Sequence, residues 1–208
     1  MENMEKISWR IWDSEGFGKA LLIGGLLFYV PVINLLLLGY YGIWFRRLVL
    51  REGMELPEWR DGKAILNELA RVIVPYLAWV VVPFLLAGLL VWAVGGMLTF
   101  LHLSIFAMTV AWLPMAVVSL LSPVALAVSL VRLYRSGTIR DSLMVTEVLQ
   151  ATLRHLKRAF FPVMVFYGIL AVGFPLIGFS AFLATLPLLA QLIVLVDKRD
   201  EDLKSAAF

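Results

Sequence analysis

The chain confines its 18 basic and 15 acidic residues to four segments, 1–19, 46–71, 132–158 and 197–208, and leaves 20–45, 72–131 and 159–196 without a single charge. No water-soluble fold can use uncharged runs of 26, 60 and 38 residues. A helix needs roughly 20 apolar residues to cross a ~30 Å hydrocarbon core. The three runs therefore hold, in order, one span or a re-entrant hairpin kinked at Pro31, then two spans, then two short spans. The chain is 62% hydrophobic and 16% charged with a mean hydropathy of +0.90, whereas a soluble domain is about a quarter charged. Most of its surface must face lipid.

The predicted fold class is all-α: a polytopic transmembrane bundle of about five spans, several kinked by proline, forming one domain. The spans are 20–45, 72–94, 105–131, 159–173 and 179–196. Gly95-Gly96 with Thr99–Ser104, and Gly173-Phe174-Pro175, are the expected turns. Two crossings separate segment 46–71 from 132–158, and two more reach 197–208, so these three share a side. Lys and Arg favour the cytoplasm, which predicts a multi-pass protein of the cell (plasma or inner) membrane with its charged loops and C-terminus inside. The N-terminal segment 1–19 carries Trp9 and Trp12 as interfacial anchors. Its balanced charge does not decide its side, and it lacks the features of a secretory signal.

The two long charged loops follow one plan: an apolar span, an arginine cluster, a glycine, and a helix that re-enters the membrane. The first reads Arg46-Arg47, Arg51, Gly53; the second Arg132, Arg135, Gly137. Either the chain contains a parallel duplication or both loops converged on one topology signal. Pro57 fits a first helical position, and Ile65, Leu69, Val72 and Ile73 follow as an apolar stripe. Beyond Gly137, Glu147, Gln150, Arg154, Lys157 and Arg158 share one face, opposite Val145, Val148, Leu149, Thr152 and Leu156. Both segments are expected to lie on the cytoplasmic surface as amphipathic helices. Arg46, Arg47, Arg51, Arg132, Arg135, Arg154, Lys157 and Arg158 are the candidate contacts for anionic membrane lipid. A protein partner or a second copy of the chain is the other candidate. Basic loops beside apolar spans are a topology signal, so nucleic acid is not expected.

Gly24-Gly25-Leu26-Leu27, Pro31-Val32-Ile33, Gly39-Tyr40-Tyr41, Arg46-Arg47, Gly53 and Glu55-Leu56-Pro57-Glu58-Trp59 resemble an uncharacterised prokaryotic membrane family, known only as domain of unknown function 4013. The resemblance is closest over 17–75. It implies a bacterial or archaeal integral membrane protein and brings no activity, cofactor or catalytic residue.

No phosphate-binding loop, Gly-x-Ser-x-Gly or His-Glu-x-x-His is present. Cysteine is absent, and His102 and His155 lie in different segments. No catalytic, cofactor or metal site is therefore expected. His102 reads as interfacial and His155 as part of a basic face. Within the spans the polar groups are Asn34, Thr109, Ser119, Ser122, Ser129, Ser180, Thr185 and Gln191. Serines and threonines should bond to their own or a neighbouring helix. Asn34 and Gln191 are costlier to bury, and each should find a hydrogen-bond partner in the protein or a water. The leading expectation is a non-enzymatic accessory, scaffolding or lipid-organising component. The alternative is a channel or carrier for a small neutral or amphiphilic solute.

Overall fold

The computed structural model describes residues 4–30, 32–53, 55–100 and 112–205, and among these the regular structure is entirely helical. The elements are α1 (Met4–Trp12), α2 (Phe17–Leu27), α3 (Leu35–Val49), α4 (Gly62–Tyr76), a π-helical turn (Leu77–Val81), α5 (Val82–Phe100), α6 (Leu113–Ser136), the one-turn α7 (Ile139–Ser142), α8 (Val145–Val172), a 3-10 turn (Phe174–Leu176) and α9 (Ile177–Ser205). Pro31, His102, Thr109 and the 101–104 part of the expected outer turn lie outside the described residues.

Four segments are long and apolar enough to cross a membrane: Gly62–Leu98, Leu113–Ser136, Val145–Val172 and Phe174–Val196. The expected span 20–45 is not one of them, because it is broken into α2 and α3. The ring of Phe182 on α9 closes against Gly24 of α2, and the same ring lies 5.9 Å from Tyr40 and 5.6 Å from Tyr41 of α3. Gly24 and Tyr40 are equally far along the chain from Val32. The chain reverses there, with Val32 at φ 71, a conformation that β-branched residues rarely adopt. The start of α2 and the segment 55–60 after α3 line one cleft. The segment is thus a helical hairpin, α2 and α3, rather than one continuous helix.

Two other boundaries differ from expectation. Gly95 and Gly96 lie inside α5 rather than in a turn. Glycine in lipid faces no water competing for its backbone, so it need not end a helix. Pro57 does not open a helix; α4 starts at Gly62, where the Asp61 side chain accepts the Ala64 N–H at 3.1 Å. The expected division at 173–176 is observed, as a 3-10 turn with Pro175 in its first positions.

The expected surface helices are also not separate elements. Residues 62–98 form one helical run and 145–172 another. Pro162 sits within α8 without ending it. Pro75 is followed by the π turn, in which Trp79 is buried and donates Nε1–H to the Ser142 carbonyl at 2.9 Å. On α8 the buried stripe is Val148, Thr152, His155, Ala159 and Val163, while Val145 and Leu149 are exposed.

The helices α6 and α8 run antiparallel, since Tyr167 bonds the Ser119 carbonyl at 2.9 Å near one end and His155 faces Val128 and Val131 near the other. Val196 of α9 joins that second group. Tyr134 of α6 in turn reaches α3 and α4. Segments 46–71 and 132–158 and the C-terminal part of α9 therefore gather at one end of the bundle. The core of the bundle contains Tyr40, Trp44, Phe45, Val124, Phe182 and Leu186, all almost fully buried. Small residues let the backbones close up. A Cβ on Gly39 would collide with the Ile65 carbonyl oxygen, and one on Gly178 would sit 2.5 Å from the Gly25 carbonyl oxygen.

Candidate functional site

The charged end is organised around two arginine–glutamate pairs. On α4 the buried stripe runs Ile65, Glu68, Val72, Pro75, so a carboxylate occupies a core position. Glu68 is only 3% exposed. Its Oε2 accepts from Arg46 Nη1 at 3.4 Å and its Oε1 from the Tyr134 hydroxyl at 2.7 Å. The Tyr134 hydroxyl also lies 3.1 Å from the Gly42 carbonyl. One carboxylate thereby ties α3, α4 and α6 together. A buried charge is tolerated only when paired and hydrogen-bonded in this way. Arg46 and Arg47 sit in the last turn of α3, where the helix dipole favours cations. The cluster was missed because Glu68 lies in a charged segment. Its spacing of three from Ile65 and four to Val72 was the signal that it shares their face.

The second pair repeats the arrangement. Arg132, near the end of α6, bonds Glu147 of α8, and its Nε donates to the Asp141 carbonyl at 3.0 Å. The Ser142 carbonyl accepts from both Trp79 Nε1 and Ser129 Oγ, the latter at 2.8 Å. These bonds draw the 139–142 turn into the bundle. Hydrogen bonds from Thr138 and Ser136, aided by Arg132 and Arg140, hold the Asp141 carboxyl below its ordinary range. Gly137 ends α6 at φ 73, and Gly53 follows α3 at φ 134. Each loop thus has an arginine at the end of one helix, a glycine at positive φ, and a glutamate on the next long helix that takes the arginine.

The candidate cations divide accordingly. Arg46 and Arg47 line a cleft of about 580 Å³ between α3 and α4, together with Pro57, Glu58, Asp61 and Arg71. Arg47 also donates to the Glu55 carbonyl at 3.3 Å. Arg132 and Arg135 line a smaller pocket of about 230 Å³ with His155. Arg154, Lys157 and Arg158 are exposed along α8, apart from both, and Arg51 is exposed after α3. His155 is not on the basic face, because it points into the bundle and is buried.

The intramembrane polar groups divide too. Thr185 and Thr152 bond the carbonyls four residues back, at 2.7 Å each, and Ser180 bonds the Gly173 carbonyl at 3.1 Å. Gln191 is buried, and its Nε2 has no hydrogen-bond partner among the described protein groups. Asn34 begins α3 at the hairpin without a side-chain cap bond.

These features are those of a membrane protein, helical throughout its described residues, with two arginine–glutamate braces at one end. The chain belongs to the family described as "Protein of unknown function (DUF4013)", which matches residues 22–190. No curated protein and no solved structure matches the chain.

Proposed function

We propose that this protein is a non-enzymatic, multi-pass component of the cell membrane that organises lipid, or scaffolds a partner, through its charged end. In this reading segments 46–71, 132–158 and 197–208 face the cytoplasm, in keeping with their Lys/Arg content. In the same reading the N-terminal segment lies on that side as well. The observation that carries the reading is the filled interior. At Gly24, Gly25, Gly39 and Gly178 the neighbouring helix leaves no room for a methyl group. Neither Asn34 nor Gln191 lines the clefts described above. A channel or carrier for a small neutral or amphiphilic solute needs a polar path at mid-depth. The unpartnered Gln191 amide is the one observation that favours it.

The exposed cations of α8 provide the test. Arg154, Lys157 and Arg158 precede Phe160 and Phe161, which are exposed as lipid-facing residues are. Each cation near an anionic surface contributes about 1 kcal/mol, within a Debye length of ~8–10 Å. The triple Arg154→Gln, Lys157→Gln, Arg158→Gln variant is expected to retain less anionic lipid by mass spectrometry, with the difference shrinking at high salt. Equal retention by both proteins at low salt would leave the stripe as a topology signal alone.

A further inference from the structure

The cleft between α3 and α4 carries both signs of charge on its walls. Glu68 is occupied by Arg46 and Tyr134, so that pair acts as scaffolding. Two cations and two anions remain on the walls: Arg47 and Arg71, Glu58 and Asp61. All four are at least partly exposed. The ion pairs Arg46–Glu68 and Arg132–Glu147 involve none of the four.

The four come from different parts of the cleft wall. Arg47 comes from α3 and Glu58 from the connecting segment. Asp61 and Arg71 stand at opposite ends of the α4 face that also carries Ala64 and Glu68. They are ten residues apart, so about 15 Å of helix separates them. A wholly anionic ligand would meet the carboxylates, and a wholly cationic one the guanidiniums. A ligand with both charges a few bonds apart meets its complement twice. Guanidinium is the group that grips phosphate through paired N–H donors, and carboxylate is the acceptor for a primary ammonium.

We infer that this cleft binds a zwitterionic phosphate–ammonium group of the phosphoethanolamine type, with Arg47 and Arg71 on the phosphate and Glu58 and Asp61 on the ammonium. The inference rests on the lipid-organising reading and gives it a ligand class. The group is either the headgroup of a membrane lipid or a free phosphoethanolamine.

The test uses the full chain in bilayer discs containing equal phosphatidylethanolamine and phosphatidylglycerol, with retained lipid counted by native mass spectrometry. Wild type is expected to keep the ethanolamine lipid in preference by about tenfold, the effect of one charge-assisted contact. Arg47→Gln with Arg71→Gln should lose that lipid. Glu58→Gln with Asp61→Asn should lose only the preference, and asparagine keeps the helix cap that Asp61 supplies. Free phosphoethanolamine is the competitor. Displacement of lipid by it identifies a soluble ligand, and resistance to displacement identifies the membrane lipid; both support the inferred chemistry. A wild type that retains both lipids equally, or acid-wall variants with unchanged preference, would overturn it. If phosphatidylglycerol alone is retained, and is lost in the α8 triple variant, the cleft assignment fails while the lipid-organising reading stands.

Discussion

Replacing Arg46 with Leu is expected to destabilise the bundle by about 3 kcal/mol, because breaking a buried pair strands the remaining charge. The asymmetry of the pair is what makes this specific. The Glu68 side chain is 4% exposed and the Arg46 side chain 38%. Without Arg46, the carboxylate keeps only the Tyr134 hydroxyl as a hydrogen-bond partner and stays largely shielded from water. Without Glu68, Arg46 can reach solvent, and Tyr134 keeps the Gly42 carbonyl at 3.1 Å. Glu68→Leu should therefore cost less, about 1–2 kcal/mol. The double Arg46→Leu, Glu68→Leu variant should recover most of the loss seen in Arg46→Leu. Unfolding in mixed micelles by increasing the fraction of denaturing detergent measures all three. Equal losses in the two single variants, with simple addition in the double, would show that the pair is not buried as described.

Gly39→Ala is expected to cost about 2–3 kcal/mol, the scale of overpacking a core. The added methyl would fall on the Ile65 carbonyl oxygen, with the Ile65 carbonyl carbon 3.1 Å away. Both are backbone atoms of α4 and cannot rotate aside, so α3 and α4 must separate. That separation would also strain the Arg46–Glu68 pair, which bridges the same helices. Gly88→Ala is the control. It lies in α5, and a Cβ there meets nothing within 4 Å. In a helix interior alanine is favoured over glycine by up to about 1 kcal/mol, so the two substitutions should shift stability in opposite directions. The same detergent titration reads both, and matching shifts would contradict the close α3–α4 contact.

The distribution of charge made the architecture legible. Uncharged runs of sufficient length can become little other than buried or lipid-facing helix, and Gly173-Phe174-Pro175 marked a turn because proline has no N–H to continue α8 into α9. Gly95-Gly96 misled, since the turn chemistry learned from water does not carry into a bilayer. The joins between surface segments and spans were invisible for a related reason. A helix need not break where its environment changes, and neither 158–159 nor 71–72 carries a stop signal. The site was less legible than the fold. Arg46, Arg47 and Arg132 stood out as clusters, but their partners Glu68 and Glu147 are distant in sequence, and only the packing of α3 on α4 and α6 on α8 reveals them. His155 looked solvated because Arg154, Lys157 and Arg158 surround it in sequence. In the helix it points the other way, along the stripe of Thr152 and Ala159.

The absence of cysteine makes one measurement direct. Single Glu15→Cys and Ser136→Cys variants place a thiol before α2 and at the end of α6, two exposed positions that the proposed topology puts on the same side. In intact cells a membrane-impermeant maleimide should label neither, and after permeabilisation it should label both. Labelling of Glu15→Cys alone in intact cells would make 20–45 a true span, and labelling of Ser136→Cys would place the charged end outside the cell. Either result would contradict an account in which every charged segment meets the cytoplasmic face.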